Sequence, residues 1–417
     1  MNKTIFITSC HSLISRNILF TGVLDLLVKE GIGVVIIVPE AKIEYFKKTF
    51  ERDGIHIEGV KIHSKKREGM MKYLSLTALR TKTLFIKRKT EMKGSGSIMS
   101  IFLNNHLMHS VIRIVERLSY KDSIFKDLFK KYSPSSVFIT DIQNEIDLAL
   151  LNEAKKNNIY TLGMVRSWDN LTSKGLIRVI PNRLIVWNEI IENEAVTLHD
   201  IDKNIISIIG IPHYDAYKTY DYSDKKAFFD KIGADINKKI ILVIPIGDRY
   251  LRENNVDRDI VDILDKTLPQ NYQILVRLPP GDYVRELEDN PNQFKRIKVL
   301  YDRAKSTHEN IKITEIHKDD DIHLAHTLNW SDIVISGPST VVIDAVFMNR
   351  PTILFGFDGY KNKGYFDSIR RYYDYDNFIP IIESKGARLA TSESEMNELV
   401  KKYMANPSLD KEYRNDL

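Results

Sequence analysis

The segment Ser331-Asp332-Ile333-Val334-Ile335-Ser336 runs directly into Gly337-Pro338-Ser339-Thr340 and then Val341-Val342-Ile343-Asp344-Ala345. An apolar run that ends in a small-residue turn and continues as a helix collects free backbone N–H groups and the positive end of a helix dipole at one point. That point suits a phosphate. Ser339 and Thr340 add hydroxyl donors, and Gly337 permits close backbone approach, with Ser336 and Pro338 completing the turn. Ser and Thr are also good N-caps, so a plain helix cap would use the same residue types. The position favours the ligand, because open parallel sheets bind ligands beyond the carboxyl ends of their strands.

Four other clusters carry reactive groups. Arg277, in Val276-Arg277-Leu278-Pro279-Pro280-Gly281-Asp282, ends an apolar run. It can pair bidentately with phosphate oxygens or sit in an ordinary salt bridge. Thr314-Glu315-Ile316-His317-Lys318-Asp319-Asp320-Asp321 offers a carboxylate pair, Asp319 and Asp321, spaced as a divalent ion needs. Acids also belong at helix N-termini, and a helix start is the stronger reading, so no metal is expected. His317 is placed to touch a nucleobase from this loop. Arg166-Ser167-Trp168-Asp169-Asn170-Leu171-Thr172-Ser173-Lys174-Gly175 gathers a Trp and several charges after a strand. There Asp169 suits a general base on an acceptor hydroxyl, with Arg166, Trp168, Asn170 and Lys174 holding that acceptor; a structural loop with an Asx turn is the alternative. His11, in Ser9-Cys10-His11-Ser12, is a second acid–base candidate. The spacing of a nicotinamide-dinucleotide site is missing there. The chain also lacks a Walker A motif, a zinc-spaced Cys/His set and a Gly-x-Ser-x-Gly elbow.

The elements that would hold these groups follow from apolar periodicity. Thr4 to Thr8 reads as a strand, and apolar residues from Ile14 to Leu27 recur at helical spacing up to Gly31. Gly33 to Val38 is a continuous apolar run of the kind found in parallel strands covered on both faces. Further strands are predicted at Val137–Thr140, Tyr160–Val165, Arg183–Trp187 and Ile205–Ile209, with helices at Asp147–Asn157 and Glu189–Leu198. Gly210-Ile211-Pro212-His213-Tyr214-Asp215 interrupts the pattern. A second series then offers strands at Ile240–Pro245, Tyr272–Leu278, Ile311–Ile316, Asp332–Ser336 and Pro351–Phe355. The fold class is α/β, with two Rossmann-like parallel-sheet domains. The expected domains are residues 1–209 and 210–393, followed by a terminal helical segment, 394–417. Gly94-Ser95-Gly96-Ser97 reads as a flexible turn or a linker.

Bulk properties agree. A chain of 417 residues favours two domains, and 43% hydrophobic with 28% charged residues describes a globular protein. A single cysteine, Cys10, rules out an intrachain disulfide and fits a reducing compartment. The net charge of +5 is modest and does not point to nucleic acid. No apolar run approaches a membrane span, and the stretch after Met1 is too short for a signal peptide, so a cytoplasmic location is expected. Lys61 to Lys93 is strongly basic, with apolar residues interleaved and only Glu68 and Glu91 as acids. Such a surface suits anionic lipid headgroups at the inner face of the membrane, or an anionic glycan.

Taken together, Ser331 to Ala345, Gly210 to Asp215 and the Ser167 to Gly175 loop resemble glycosyltransferases of GT-B architecture. The nearest likeness is to bacterial surface-polysaccharide transferases and CDP-glycerol glycerophosphotransferases. The resemblance implies two domains facing across a cleft, with residues 1–209 holding the acceptor, 210–393 holding the nucleotide-linked donor, and 394–417 crossing back to the first domain. It further implies donor contacts at Ser339 and Thr340 with Arg277, Asp344 near the ribose or bracing the turn, and a nucleotide-activated donor with no cofactor or metal. A glycan or lipid-linked acceptor would then be deprotonated by Asp169 or His11. A UDP-sugar 2-epimerase-like isomerase or hydrolase, and a non-catalytic nucleotide-sugar-binding protein, are the alternative readings.

Overall fold

A computed structural model describes residues 3–61, 66–92, 98–121, 124–251, 253–303, 315 and 317–416. The chain divides into two compact units, Met1–His213 and Tyr214–Leu417. The division falls inside the Gly210–Asp215 segment that interrupts the sequence pattern.

The first unit holds β1 (Thr4–Thr8), β2 (Gly33–Pro39), β3 (Ile55–Val60), β4 (Ser136–Ile139), β5 (Tyr160–Met164), β6 (Arg183–Val186) and β7 (Ile206–Ile208). Their order is β3-β2-β1-β4-β5-β6-β7, and every pairing is parallel. Successive residues of a strand face opposite sides of its sheet. Phe6, Val35, Ile37, Val137 and Ile139 accordingly join one core cluster, while Ile7, Val34, Ile36 and Val38 join another. Burial on both faces is why β2 reads as an unbroken apolar run.

The second unit holds β8 (Lys239–Ile244), β9 (Tyr272–Leu278), β10 (Val299–Arg303), β11 (Ile333–Ser336), β12 (Thr352–Phe355) and β13 (Arg388–Ala390). Their order is β10-β9-β8-β11-β12-β13, again all parallel. Ile240, Leu242, Ile244, Leu275 and Val334 meet Phe228, Leu324 and Leu328 in a core of its own.

Several elements depart from the sequence expectation. The helix expected across Ile14 to Leu27 is broken. A turn at Ser12–Ile14 opens into a wide π-turn at Ser15–Leu19, and a new helix starts at Val23. Phe20 N–H reaches back to Ser15 O, and Thr21 Oγ1 donates to Ile18 O, which ends the turn before Gly22. Strands β3, β10 and β13 lack a strong apolar signal: each is a sheet edge, and β13 is only three residues long. The strand expected at Ile311–Ile316 lies outside the described residues except for Glu315, as does Gly94–Ser97. The expected terminal helix spans Glu393–Ala405 and packs on β12, β13 and the helix Val256–Thr267 of the second unit.

Candidate functional site

An open parallel sheet splits where consecutive strands leave their neighbour in opposite directions, and the loops on either side of that point form a crevice. In the second unit the switch lies between β8 and β11. The turn Gly337–Thr340 leaves β11 there, beside the Pro245–Asp248 loop that leaves β8. Gly337 is buried and its N–H bonds Ile244 O. A Cβ at this position would stand 2.6 Å from Ile246 Cγ1 and 3.3 Å from the Phe355 ring, so only glycine fits. The helix that follows, Val341–Phe347, starts at Thr340 without a side-chain cap. Ser339 Oγ accepts only a long bond, 3.4 Å, from Val341 N–H. Among the described residues the Ser339 and Thr340 amides have no acceptor. Ser339 is half-buried and Thr340 exposed, so both can meet a ligand.

The other donor-side residues sit differently from expectation. Ser336 is fully buried and its hydroxyl donates to Gly337 O, so it shapes the turn and does not present itself to a ligand. Pro338 is half-buried in the turn itself. Asp344 points into the core, where Tyr217 donates to it at 2.9 Å; of its two expected roles only bracing agrees with that placement. Arg277 is buried and ion-paired with Asp302, which also takes a 3.0 Å bond from His323. Burial would raise the Asp302 carboxyl, but His323 and Arg277 outweigh it and hold it below the usual range. Arg277 is therefore the salt-bridged arginine of the two readings. His317 stands at the N-terminal end of the helix Lys318–Asn329, half-buried. Asp319 is exposed, while Asp321 is buried and accepts from Tyr220 at 3.2 Å. Among the described residues no group of three or more His, Cys, Asp or Glu side chains is arranged to hold a metal.

In the first unit the switch lies between β1 and β4. Here the folded chain joins groups that are far apart in sequence. Asp141, two residues past the end of β4, takes a 2.7 Å bond from Arg166 Nε and lies 3.5 Å from Lys174 Nζ. Arg166 Nη1 lies 3.3 Å from both ring nitrogens of His11. His11 Nδ1 accepts from Leu13 N–H at 3.2 Å, which places the neutral ring's proton on Nε2. Burial, then Arg166, then Lys174 lower the imidazole to about 3. A ring that weakly basic is a poor proton acceptor at neutral pH. Burial raises Asp141, but Lys174 and Arg166 pull it below the carboxylate range. Beneath this cluster Asp147 is fully buried and receives the Thr8 hydroxyl. Burial, then the Asp141 charge, raise it to about 7. Cys10 is pushed up by burial and by Asp147.

The Arg166–Gly175 loop supplies two of these cations and buries much of the rest. Asp169 is half-buried and takes a 3.2 Å bond from Ser173 Oγ. Trp168 packs on the first unit's core. Asn170 is fully buried, and neither side-chain polar atom has a partner among the described residues. It cannot touch an acceptor from that position. Asp141 and Asp147 escaped the sequence reading. The available signal was position alone: Asp141 is the second residue after β4, beside the switch.

The basic stretch is also redistributed. Its described parts form the helices Lys66–Thr77 and Lys82–Thr90. Met71, Leu79 and Leu84 turn inward to a cluster with Ile112 and Leu176. Arg88 is buried and donates to the Leu76 and Leu79 carbonyls, 2.8 Å each.

Two parallel-sheet α/β units, each with small-residue or charged loops at its switch point, define a protein of the GT-B class. Solved structures share the fold. The UDP-GlcNAc 2-epimerase from Neisseria meningitidis bound to UDP-GlcNAc is 11% identical, with a TM-score of 0.59 over 99% of this chain and 94% of that one. The epimerase from Methanocaldococcus jannaschii in complex with UDP-GlcNAc and UDP is 13% identical, with a TM-score of 0.52 over 97% and 93%. The glycotransferase of kitacinnamycin is 10% identical, with a TM-score of 0.52 over 99% and 93%. No curated protein matches. The family model for CDP-glycerol:poly(glycerophosphate) glycerophosphotransferase matches residues 152–415, and the chain belongs to that family. It is a glycosyltransferase-like transferase that draws on a nucleotide-activated donor.

Proposed function

We propose that this transferase moves an alditol phosphate or a sugar from a nucleotide-diphosphate donor to a surface-polysaccharide or lipid-linked glycan acceptor. The carrying observation is the Gly337–Thr340 turn: two amides with no acceptor among the described residues, at a helix start on the switch point of the second sheet. Ser339 and Thr340 bind the donor diphosphate through their amides and hydroxyls, and no metal is required. The family name supports a cytidine diphosphate-linked alditol as the donor.

In the first unit, Lys174 and Arg166 hold the acceptor's anionic groups, with Asp141 fixing both cations. Asp169 is the general base, since it carries no direct cation pair among the described residues and His11 is too weakly basic. Its carboxylate takes the proton of the acceptor hydroxyl. That oxygen attacks the donor phosphorus or anomeric carbon, and the bond to the nucleotide breaks with the nucleotide leaving as an anion.

A thermal-shift series with CMP, CDP, UDP, GDP and TDP should show stabilisation by the cytidine nucleotides. Ser339→Ala with Thr340→Ala should abolish nucleotide binding in calorimetry; unchanged affinity sinks the donor assignment. Asp169→Asn should keep nucleotide binding and lose transfer. Epimer or free sugar formed without an acceptor would replace this reading with an epimerase or hydrolase.

A further inference from the structure

The first unit contains a cavity of about 650 Å³ whose lining includes none of the residues assigned above to donor or acceptor. That volume falls in the range of small-molecule sites, ~300–1,000 Å³. Tyr160, the first residue of β5, and Asn182, just before β6, lie on its wall. Both stand at the amino ends of their strands. The Asp141, Arg166 and Lys174 cluster follows the carboxyl ends of β4 and β5, so the length of the sheet separates the two places.

The lining is cationic. Arg113, Arg117, Lys155, Lys156 and Arg178 reach the cavity, and among the described residues no carboxylate lines it. Two of these cations are already engaged. Arg178 is buried and pairs with Glu116 and Glu145. Arg113 donates to the Ile177 and His199 carbonyls and lies 3.9 Å from Asp200. Arg117, Lys155 and Lys156 have no carboxylate partner among the described residues. Desolvation lowers the Lys155 ammonium, and no carboxylate acts against it. Asn182 adds a neutral donor. Its side-chain oxygen accepts from the Thr161 N–H and hydroxyl at 3.0 and 2.6 Å, which leaves the amide NH2 without an acceptor among the described residues.

The fold holds these cations together against their own repulsion. The helix His106–Ser119 carries Arg113 and Arg117 one turn apart. Its inward residues are His109, Ile112 and Glu116, and an apolar stripe runs along its outer side from Leu107 through Val111 and Ile114 to Leu118. His109 bonds Asp200 at 2.6 Å, and Glu116 accepts from Arg178 at 3.1 Å, from Asn152 at 3.3 Å and from Arg67. Rotating the helix would break these bonds and strand buried charge. The helix Glu145–Lys156 ends at the same place with Lys155 and Lys156. Like charges so placed destabilise the protein, and a cleft of one sign concentrates counter-ions. Open cations beside a donor amide suit a ligand made of acceptors and carrying several negative charges. A single carboxylate would offset one cation; a diphosphate, or neighbouring phosphodiesters, would offset most of them.

We propose that this cavity binds a ligand with two or more phosphate groups, held by Arg117, Lys155 and Lys156. A soluble oligophosphate and a length of poly(glycerophosphate) chain share that chemistry. The second source rests on the proposed transfer reaction; the site itself does not.

Calorimetric titration of the full chain at low salt, with tripolyphosphate and with a glycerol phosphate oligomer, tests this. At least one should bind. Arg117→Gln with Lys155→Gln should weaken that binding about tenfold or more, at an unchanged thermal midpoint, since both side chains are exposed. Ser339→Ala with Thr340→Ala should leave it in place, which keeps this site apart from any failure of the donor assignment. Tighter binding of the oligomer assigns the site to the polymer chain, and tighter binding of tripolyphosphate assigns it to a soluble effector. Binding of neither, or an affinity that Arg117→Gln with Lys155→Gln leaves unchanged, overturns the proposal. So does an equal loss in Lys47→Gln with Lys48→Gln, exposed lysines of the helix Ile43–Phe50, since net charge alone would then be responsible.

Discussion

At the scale of single residues, Asp147 of the first unit titrates far from the ordinary carboxylate range. Its folded carboxyl titrates at about 7, raised first by burial and then by Asp141. The unfolded side chain titrates near ~3.9. Between those values the native state holds a proton that the unfolded chain has lost, so stability falls as pH rises through the window. The loss is at most about 1.4 kcal/mol per pH unit from this one group. Asp147→Asn keeps a neutral side chain that still accepts from Thr8. It should flatten the slope and make the variant the more stable protein at about pH 8, with little difference at about pH 4. Urea unfolding at several pH values measures this; an unchanged slope assigns it to other groups. The same crowding explains His11. Between Arg166 and Lys174 a proton on the ring would be a third positive charge, which is why the histidine serves the cluster as a neutral neighbour.

At the scale of elements, the helix His106–Ser119 shows how buried ions can orient a helix against its apolar stripe. Glu116 and Arg178 are both almost fully buried, and Glu116 is shared with Arg67 and Asn152. Glu116→Ala leaves Arg178 with only Glu145 and strands charge in the interior, at an expected cost of about 3–5 kcal/mol. Glu116→Gln should recover part of that, because the amide oxygen still accepts. Chemical denaturation of the two variants against the parent measures both, and an alanine variant as stable as the parent would remove the network as the cause of the helix's orientation. The switch-point turn is an element-scale device too. Gly337 lets β11 pass beside Ile246 and Phe355, and that close passage presents the Ser339 and Thr340 amides at the edge of the sheet.

At the scale of the whole molecule, each unit has its own parallel sheet and its own core. Two cores predict that unfolding need not be a single transition. Residues 214–417 expressed alone should unfold cooperatively and retain nucleotide binding, as read by denaturation and calorimetry. A fragment that folds and binds nothing would mean the first unit contributes to the donor site. The family match spans residues 152–415, from the middle of the first unit through the second. The N-terminal part outside that match contains the exposed apolar helix His106–Ser119.

Much of this architecture is legible without coordinates. Strands β1, β2, β8, β9 and β11 are buried on both faces, so their apolar runs are continuous and announce a parallel sheet. The turn after β11 is legible as well, since a small-residue stretch between strand and helix is a local pattern. Other features are invisible locally. The edge strands β3 and β10 are half-covered and mix polar with apolar residues, so their sequences carry little signal. Asp141, Arg166, Lys174 and His11 come together only because the strand order places β1, β4 and β5 side by side. Their pairing, and with it the weak basicity of His11, depends on distances no spacing along the chain encodes. The basic stretch is the clearest case. Its alternation of cations and apolar residues is real, yet which side faces water is set by distant elements: Glu116 and Ser119 hold Arg67, and Ile112 and Leu176 pack on Met71, Leu79 and Leu84. The sequence by itself determined the class of fold and the small-residue turn after β11, because both follow from local patterns. Only the tertiary structure decided which charges are paired, which are buried and which apolar face is left open, because those depend on what packs against them.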